Sequence, residues 1–328
     1  MVRDIQSQKF FGHGSLNEPQ REKKSRLMAA LKVILWLTIL SFIIAFFISI
    51  YAEDDFESFD GNVAVIKITG PIMVQGDDFL FEEVASSDDI SKLVRKAVKN
   101  EKVKAIVFEI NSPGGSAVAS DEIAAEIKNS NKTTVAWIRE IGTSGAYWIA
   151  SSTDHIIANR MSITGSIGVI ASYLGFSGFI EDHNVTYERL VSGKFKDLGI
   201  PFKDLTAEER ALFEKNLNSI HGYFVDEVAK NRKLPKKEVE NLATGQFYLG
   251  AEALNLGLVD ELGSRDEVKR YLEKNLDIEV KFVEYKTHRG LLSSLSDVIG
   301  KNSFFIGKGL GSAFFSQAEK PKSISITA

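Results

Sequence analysis

The residues best able to do chemistry lie in two short glycine-rich turns. In Gly-Thr-Ser-Gly-Ala-Tyr (142–147), Ser144 follows an apolar segment and precedes glycine. A serine on a strand-to-helix turn can expose its hydroxyl as a nucleophile, and the following N–H, that of Gly145, can stabilise an oxyanion. Serine is also among the best helix N-caps, so this motif alone favours a capping role for Ser144.

The second turn, Asn-Ser-Pro-Gly-Gly-Ser, spans residues 111–116 and also follows an apolar segment. Its paired glycines, Gly114 and Gly115, allow the backbone to approach a ligand closely, and the start of the next helix offers unpaired N–H groups. An oxyanion hole is built in this way. An ordinary tight turn explains the same residues equally well.

A serine nucleophile needs a base, and none of the five histidines lies in a suitable motif. The chain also contains no cysteine, so a thiol nucleophile is excluded. Lysine remains as the possible base for a serine, and the candidates are Lys194 and Lys196 in Ser-Gly-Lys-Phe-Lys-Asp (192–197). A lysine acts as a base only when neutral, so its pKa must fall from ~10.4 by ~3 units, which costs ~4 kcal/mol. Burial supplies such a shift, so we expect a dry pocket, although a charged run of this kind usually forms a solvated loop.

Alternating strands and helices position these turns. Strands are predicted at 62–69, 103–110, 133–138, 155–159 and 280–285, and helices at 88–100, 118–129, after Gly142, near 174–182 and from Thr206. The first helix should be capped by Ser87 or Asp88, and Thr206 with Glu209 forms a capping box. Helices between strands imply parallel pairing, so the fold class is α/β, with a mainly helical part at 206–262.

The N-terminal region contains a candidate membrane anchor. Residues 33–52 are uncharged, and as a helix at ~1.5 Å per residue they match a ~30 Å hydrocarbon layer. Basic residues predominate before this segment and only acidic ones occur in 53–60, so the N-terminus should be cytoplasmic. A cleaved signal peptide is the alternative, but its apolar region is usually shorter. The predicted division is a cytoplasmic segment 1–32, anchor 33–52, acidic linker 53–61, catalytic domain 62–285 and flexible tail 286–328.

The composition is that of an ordinary globular protein, with 44% hydrophobic and 26% charged residues. The formal net charge of −4 gives no basic excess, so nucleic-acid binding is not expected.

Five motifs together resemble the bacterial signal peptide peptidase A family. They are Ser-Pro-Gly-Gly (112–115), Thr-Ser-Gly-Ala-Tyr-Trp-Ile-Ala (143–150), Gly-Ser-Ile-Gly-Val-Ile (165–170), Ser-Gly-Lys-Phe-Lys-Asp (192–197) and Leu-Gly-Leu-Val-Asp-Glu-Leu-Gly (256–263). The resemblance covers about residues 62–285. It implies a Clp-protease-like or crotonase-like fold of repeated β-α-β units and a Ser/Lys dyad protease that degrades signal peptides left in the membrane.

The resemblance also assigns site residues by position. It implies Ser144 as nucleophile, Lys196 as general base, Ser166 as the serine that hydrogen-bonds the lysine, and an oxyanion hole formed by Gly115 and Gly145 with Gly114 beside them. Lys194 occupies a variable position of the motif. No metal or cofactor is implied.

One departure from the family is Ala146, where glycine is usual. Alanine there would be strained by about 1 kcal/mol or more at positive φ. It would be harmless in a helix, which is what we expect, together with retained activity.

The half-length type of this family implies a ring of copies, an octamer, whose neighbouring subunits supply serine and lysine to one site. The expected location is the bacterial inner membrane, with the catalytic domain outside the cytoplasm, and the expected substrates are cleaved signal peptides and other extended hydrophobic peptides. Three alternatives are a membrane-bound Ser/Lys protease that trims a membrane-protein partner, a crotonase-like acyl-CoA enzyme and an inactive membrane scaffold.

Overall fold

The computed structural model describes residues 18–52, 61–75 and 84–286, and in the first of these ranges it describes side chains only for 28–47. The chain forms two compact units, residues 1–57 with 288–328, and residues 58–287. Residues 1–17, nearly all of the predicted acidic linker 53–61 and all but the first residue of the predicted tail 286–328 lie outside the described residues.

The described part of the first unit is a long helix, α1 (Glu18–Ala52). Its stretch Met28–Phe47 has a mean hydropathy of 2.4 and none of it is buried. The apolar side chains are therefore exposed all round the helix. By length and composition this helix could cross a membrane.

The second unit alternates strands with helices. Its strands are β1 (Val63–Thr69), β2 (Ile72–Met73), β3 (Ala85–Ser86), β4 (Ala105–Ser112), β5 (Thr133–Thr143), β6 (His155–Ala158), β7 (Ile163–Gly165), β8 (Phe247–Leu249), β9 (Glu261–Leu262) and β10 (Phe282–Tyr285). Its helices are α2 (Ser87–Lys99), α3 (Ala117–Lys128), α4 (Gly145–Ser151), α5 (Ser177–Asp182), α6 (Ala207–Arg232), α7 (Lys236–Leu242), α8 (Gly250–Asn255) and α9 (Arg265–Leu276).

The central sheet has the strand order β10-β1-β4-β5-β6-β9, and these neighbours pair in parallel. β7 extends the sheet beside the end of β5, and β8 pairs with β7 in the antiparallel sense. The predicted α/β class is confirmed. The sequence missed β2, β3 and β7, and it also missed β8 and β9 within the part predicted to be mainly helical. Strands of two or three residues carry no readable hydrophobic period, and they form because tertiary contacts bring their partners to them.

The sheet is buried on both faces, as its near-continuous apolar strands indicate. On one face, Ile66 and Phe108 are fully buried with residues of α2, α3 and α4. On the other face, Val65 and Val107 pack with Val268 of α9. Burying each large apolar side chain contributes about 1.5–3 kcal/mol. The strand ends that carry the two glycine-rich turns are thus held by a rigid core.

The helix caps correct one prediction. The α2 cap is Ser86, whose hydroxyl accepts from the N–H of Asp89, and not Ser87 or Asp88. The capping box of Thr206 and Glu209 at the start of α6 is confirmed. The helix predicted near 174–182 is shorter, α5 beginning only at Ser177. No apolar side chain is buried between residues 168 and 208, so this segment lacks a core of its own.

Candidate active site

Ser144 lies on a strained turn between β5 and α4. Its backbone has φ 53° and ψ −125°, a conformation that costs about 1–3 kcal/mol. The turn is held because its N–H donates to the Gly165 carbonyl at 2.8 Å and its carbonyl accepts from the N–H of Tyr147 at 2.9 Å. The hydroxyl makes no capping hydrogen bond to α4. The simple capping role that the motif favoured is therefore wrong, and the hydroxyl is left available for chemistry.

The N–H of Gly115 faces the same turn. Ile72 of β2 donates its N–H to the Gly114 carbonyl at 2.9 Å and accepts from the N–H of Ser116 at 2.8 Å. Because backbone groups alternate in direction along an extended chain, the N–H of Gly115 points away from β2. A Cβ built on Gly145 would lie 3.4 Å from this nitrogen. Within the described ranges neither glycine N–H donates a hydrogen bond, so both are free to meet an oxyanion.

Gly114 shapes the turn in a different way. Its φ is 93°, and a Cβ on it would lie 2.7 Å from the Gly145 nitrogen and 2.9 Å from the Ser144 Cβ. Its own N–H already donates to the Ser112 hydroxyl at 3.1 Å. Gly114 therefore allows the two turns to approach each other, while the available donors are Gly115 and Gly145.

Ser166 lies beside Ser144. β5 and β7 pair in parallel with Thr143 opposite Gly165, so the next residues along the two chains are the two serines. Ser166 also has a positive φ, of 50°, and its hydroxyl donates to the Gly245 carbonyl at 3.2 Å. The sheet register and the contact between the two glycine-rich turns thus bring together five of the six predicted site residues: Ser144, Ser166, Gly114, Gly115 and Gly145.

Ala146 occupies the second position of α4 and is fully buried. It is absent from the residues with positive φ. The expectation of a helical, unstrained alanine is confirmed, so this departure from the family places no strain on the turn that carries Ser144.

Lys196 is exposed in the single chain, on a turn in which its N–H donates to the Gly193 carbonyl at 3.2 Å. Among the described residues its amine has no hydrogen bond to Ser144 or Ser166. The dry pocket expected for a lysine base is therefore not formed by one chain, because the segment from 168 to 208 buries no apolar side chain. Lys194 forms an exposed ion pair with Glu208 at 2.5 Å.

Two supporting networks could not be inferred from sequence spacing. The buried Tyr147 hydroxyl donates to the Leu258 carbonyl at 2.9 Å, and burial raises the pKa of this phenol above its usual value. Arg232 of α6 donates to both carboxylate oxygens of Asp260. Burial disfavours the Asp260 charge, but the hydrogen bonds and positive charge of Arg232, together with the N–H of Ile156, outweigh burial and hold the pKa of this carboxyl below its usual value. These contacts fasten the motif at 256–263 to α4 and α6, which steadies the helix behind Ser144.

The family model named peptidase family S49 matches residues 126–279, a range that contains Ser144, Ser166 and Lys196. The chain is 30% identical over 246 residues to a "Putative protease" of Methanocaldococcus jannaschii, which covers 74% of this chain and 78% of that protein. It is 32% identical over 241 residues to a "Putative signal peptide peptidase SppA" of Enterococcus faecium, covering 71% of this chain and 70% of that protein.

The chain belongs to peptidase family S49. Its resemblance to signal peptide peptidase A is thereby confirmed. The chain is also 37% identical over 224 residues to Protease 4 of Haemophilus influenzae, but it spans only 34% of that protein. Membership of a peptidase family favours peptide hydrolysis over the acyl-CoA chemistry considered as an alternative.

Proposed function

We propose that this S49 family protease is a membrane-anchored serine endopeptidase in which Ser144 is the nucleophile and Lys196 the general base, and that it degrades remnant signal peptides. One observation carries the proposal. The Ser144 hydroxyl does not cap its helix, although its strained turn adjoins two N–H groups, of Gly115 and Gly145, without acceptors in the described chain. A structural turn would have no need of this arrangement.

The mechanism follows from these positions. Neutral Lys196 takes the proton of the Ser144 hydroxyl as the oxygen attacks the peptide carbonyl, and the N–H groups of Gly115 and Gly145 stabilise the oxyanion. The protonated amine then gives its proton to the leaving amine. It next activates a water molecule that hydrolyses the acyl-enzyme. Ser166 orients the lysine amine through its hydroxyl.

The exposure of Lys196 supports a site completed by a second copy of the chain. The segment that carries it also presents large apolar side chains to solvent: Ile170 (88% exposed), Leu174, Phe179, Val185 and Leu190 (94%). Exposed apolar surface of this extent is typical of interaction sites. We therefore propose a homo-oligomer, of eight copies by the family resemblance, in which a neighbouring subunit covers this segment and excludes water from the amine of Lys196.

The location and substrates belong to the same proposal. The uncharged segment 33–52 of α1, with mainly basic residues before it and acidic residues after it, supports an inner-membrane anchor with the N-terminus inside. The peptidase unit would then lie outside the cytoplasm. An anchored protease could reach cleaved signal peptides and other extended hydrophobic peptides in or near the membrane.

Substitutions at the site test the chemistry. Ser144→Ala and Lys196→Ala should each lower hydrolysis of a fluorogenic signal-sequence peptide by at least a hundredfold while circular dichroism stays unchanged. Lys194→Ala is the matched control, since it removes a lysine two residues away and should keep activity within about twofold. A fluorophosphonate probe should label the wild type at Ser144, as read by intact mass and peptide mapping. Wild-type turnover by Lys196→Ala would refute the proposed base, and an unlabelled, inactive wild type would support the inactive scaffold.

Mixing the two inactive variants tests the shared site. If neighbouring subunits supply the serine and the lysine, assemblies that contain both Ser144→Ala and Lys196→Ala chains should recover part of the activity. Complete inactivity of verified mixed assemblies would place both residues of each site within one chain.

A further inference from the structure

We propose that Asp197 and Arg189 form a charge-balanced clamp that positions Lys196 and sets the pH range in which it acts as a base. The proposal rests on the proposed function, because it assigns a positioning role toward the same lysine. Neither residue contacts Ser144, and neither is proposed to touch substrate.

One guanidinium holds the chain on both sides of Lys196. The Arg189 Nε and Nη2 donate to the two carboxylate oxygens of Asp197 at 2.6 and 2.9 Å, and Nη2 also donates to the Lys194 carbonyl at 3.2 Å. The Asp197 side chain is only 7% exposed. Paired hydrogen bonds to a carboxylate fix orientation as well as distance. The backbone of Lys196 is therefore held although its own side chain is exposed.

A second cation connects this clamp to the longest helix of the peptidase unit. The Lys203 amine lies 3.9 Å from the Asp197 carboxylate and 2.5 Å from that of Glu209. Glu209 in turn accepts from the N–H and hydroxyl of Thr206, in the capping box that starts α6. The turn that carries Lys196 is thus connected to the start of α6 by ion pairs whose carboxylates are largely buried.

The charges of the clamp cancel. Arg189 and Lys203 carry one positive charge each, and Asp197 and Glu209 carry one negative charge each. The hydrogen bonds from Arg189 hold the pKa of the Asp197 carboxyl below its usual value, so the carboxylate stays charged while the enzyme works. A carboxylate without a counter-charge at position 197, the next residue in the chain after Lys196, would stabilise the ammonium form, which cannot act as a base. The cations of the clamp offset that effect.

The other titratable or charged groups around this turn are Tyr187 and Lys194 on the same segment, Asp204 after Lys203, and Glu208 on α6.

The test is the pH profile of kcat/KM for peptide hydrolysis by the assembled full-length protein. Activity should rise with pH as Lys196 loses its proton. Asp197→Asn leaves an excess positive charge and should move the midpoint of this rise down by about half to one pH unit, whereas Arg189→Gln should move it up by a similar amount. The double variant restores the balance and should return the midpoint to within about 0.3 units of wild type, even if the rate is lower.

Three further variants keep the test decisive. Glu208→Gln is the matched control, because it removes an exposed carboxylate from the first helical turn of α6 and should leave the midpoint unchanged. Arg189→Lys keeps the charge and should retain the wild-type midpoint with a lower kcat. If Arg189→Gln does not fold, Lys203→Met removes the second cation and should shift the midpoint upward.

Unchanged midpoints in folded Asp197→Asn and Arg189→Gln proteins would refute the proposal that the clamp sets the pH range in which Lys196 acts as a base. Shifts of the opposite sign would refute it as well. That failure differs from failure of the proposed function, which would appear as full activity in Lys196→Ala.

Discussion

Gly145 allows the nucleophile turn to pack directly against α3, and the substitution Gly145→Ala should break this contact. A Cβ built on Gly145 would lie 2.2 Å from the Ser120 Oγ. Ser120 is fully buried, and its hydroxyl donates to the Ser116 carbonyl at 2.9 Å, so it cannot turn aside without losing that bond. The methyl group and the hydroxyl would overlap by about 1 Å relative to a normal contact.

The expected cost follows from that overlap. Overpacking of this kind costs about 1–3 kcal/mol, against at most ~1 kcal/mol gained from replacing glycine by alanine in a helix. A net loss of about 1–2 kcal/mol should lower the melting temperature by about 2–8 °C in a unit of this size. Relief of the clash must move α4 or α3, and a shift of about 1 Å at the Ser144 turn should reduce kcat/KM by about a hundredfold.

The assays are thermal unfolding and peptide hydrolysis, with a rescue variant as control. Ser120→Ala alone removes one hydrogen bond and should cost about 1 kcal/mol with little loss of activity. In the double variant with Gly145→Ala, the nearest remaining atoms are the Ser120 Cβ at 3.3 Å and the Gly115 nitrogen at 3.4 Å, which are tight but tolerable contacts. The double variant should recover at least tenfold in kcat/KM over Gly145→Ala. Wild-type behaviour of Gly145→Ala, or a double variant no more active than the single, would refute this reasoning.

Two further predictions concern the surroundings of the site. Ala146→Gly introduces the family's usual residue into a helical position. It should lower the free energy of unfolding by about 1 kcal/mol in denaturant titrations and leave kcat unchanged. A gain in kcat would contradict this expectation, because it would show that alanine limits the kcat of the wild type. Asp260 has a lowered pKa in the folded state, so its contribution to stability is full above pH ~4 and is lost as the pH falls through the folded pKa. Asp260→Asn should therefore destabilise the protein by about 1–3 kcal/mol at pH 7, by leaving Arg232 without its carboxylate, and should flatten the loss of stability below pH 4. Asp121→Asn, at an exposed position on α3, is the control. If the stability of Asp260→Asn falls below pH 4 as steeply as that of the wild type, the proposed contribution of Asp260 is refuted.

The sequence was most informative where the signal is local. The capping box of Thr206 and Glu209 is complete within four residues. The apolar runs of β1, β4 and β5 predict strands, and the helical segments between them predict parallel pairing. The two glycine-rich turns identified Ser144 and Gly115 as candidates for the same reason. Helix capping and the apolar character of a strand are set by residues close together in the chain, so these features are readable without knowing where distant segments lie.

Whether the Ser144 hydroxyl caps α4 or stays free could not be decided from the sequence. It depends on the 2.8 Å bond from the Ser144 N–H to the Gly165 carbonyl, which helps to hold the strained turn, and on the bonds of Ile72 that leave the Gly115 N–H free. Those partners are 21 and 43 residues away in the chain. Nor does the residue spacing predict the contact of Arg189 with Asp197. The exposure of Lys196 agrees with the solvated loop that its charged run favours, and not with the dry pocket that a lysine base requires.

By itself, the sequence determined the α/β class, the long apolar helix and the residue types available for a serine hydrolase, because each depends on short-range periodicity and composition. Only the tertiary structure decided that the Ser144 hydroxyl lies beside the free N–H groups of Gly115 and Gly145, and that the N–H of Gly114 is already used. It also decided that the side chain of Lys196 is exposed to water in a single chain. Strand register and side-chain burial are properties of packed surfaces from distant segments, and no local pattern specifies them.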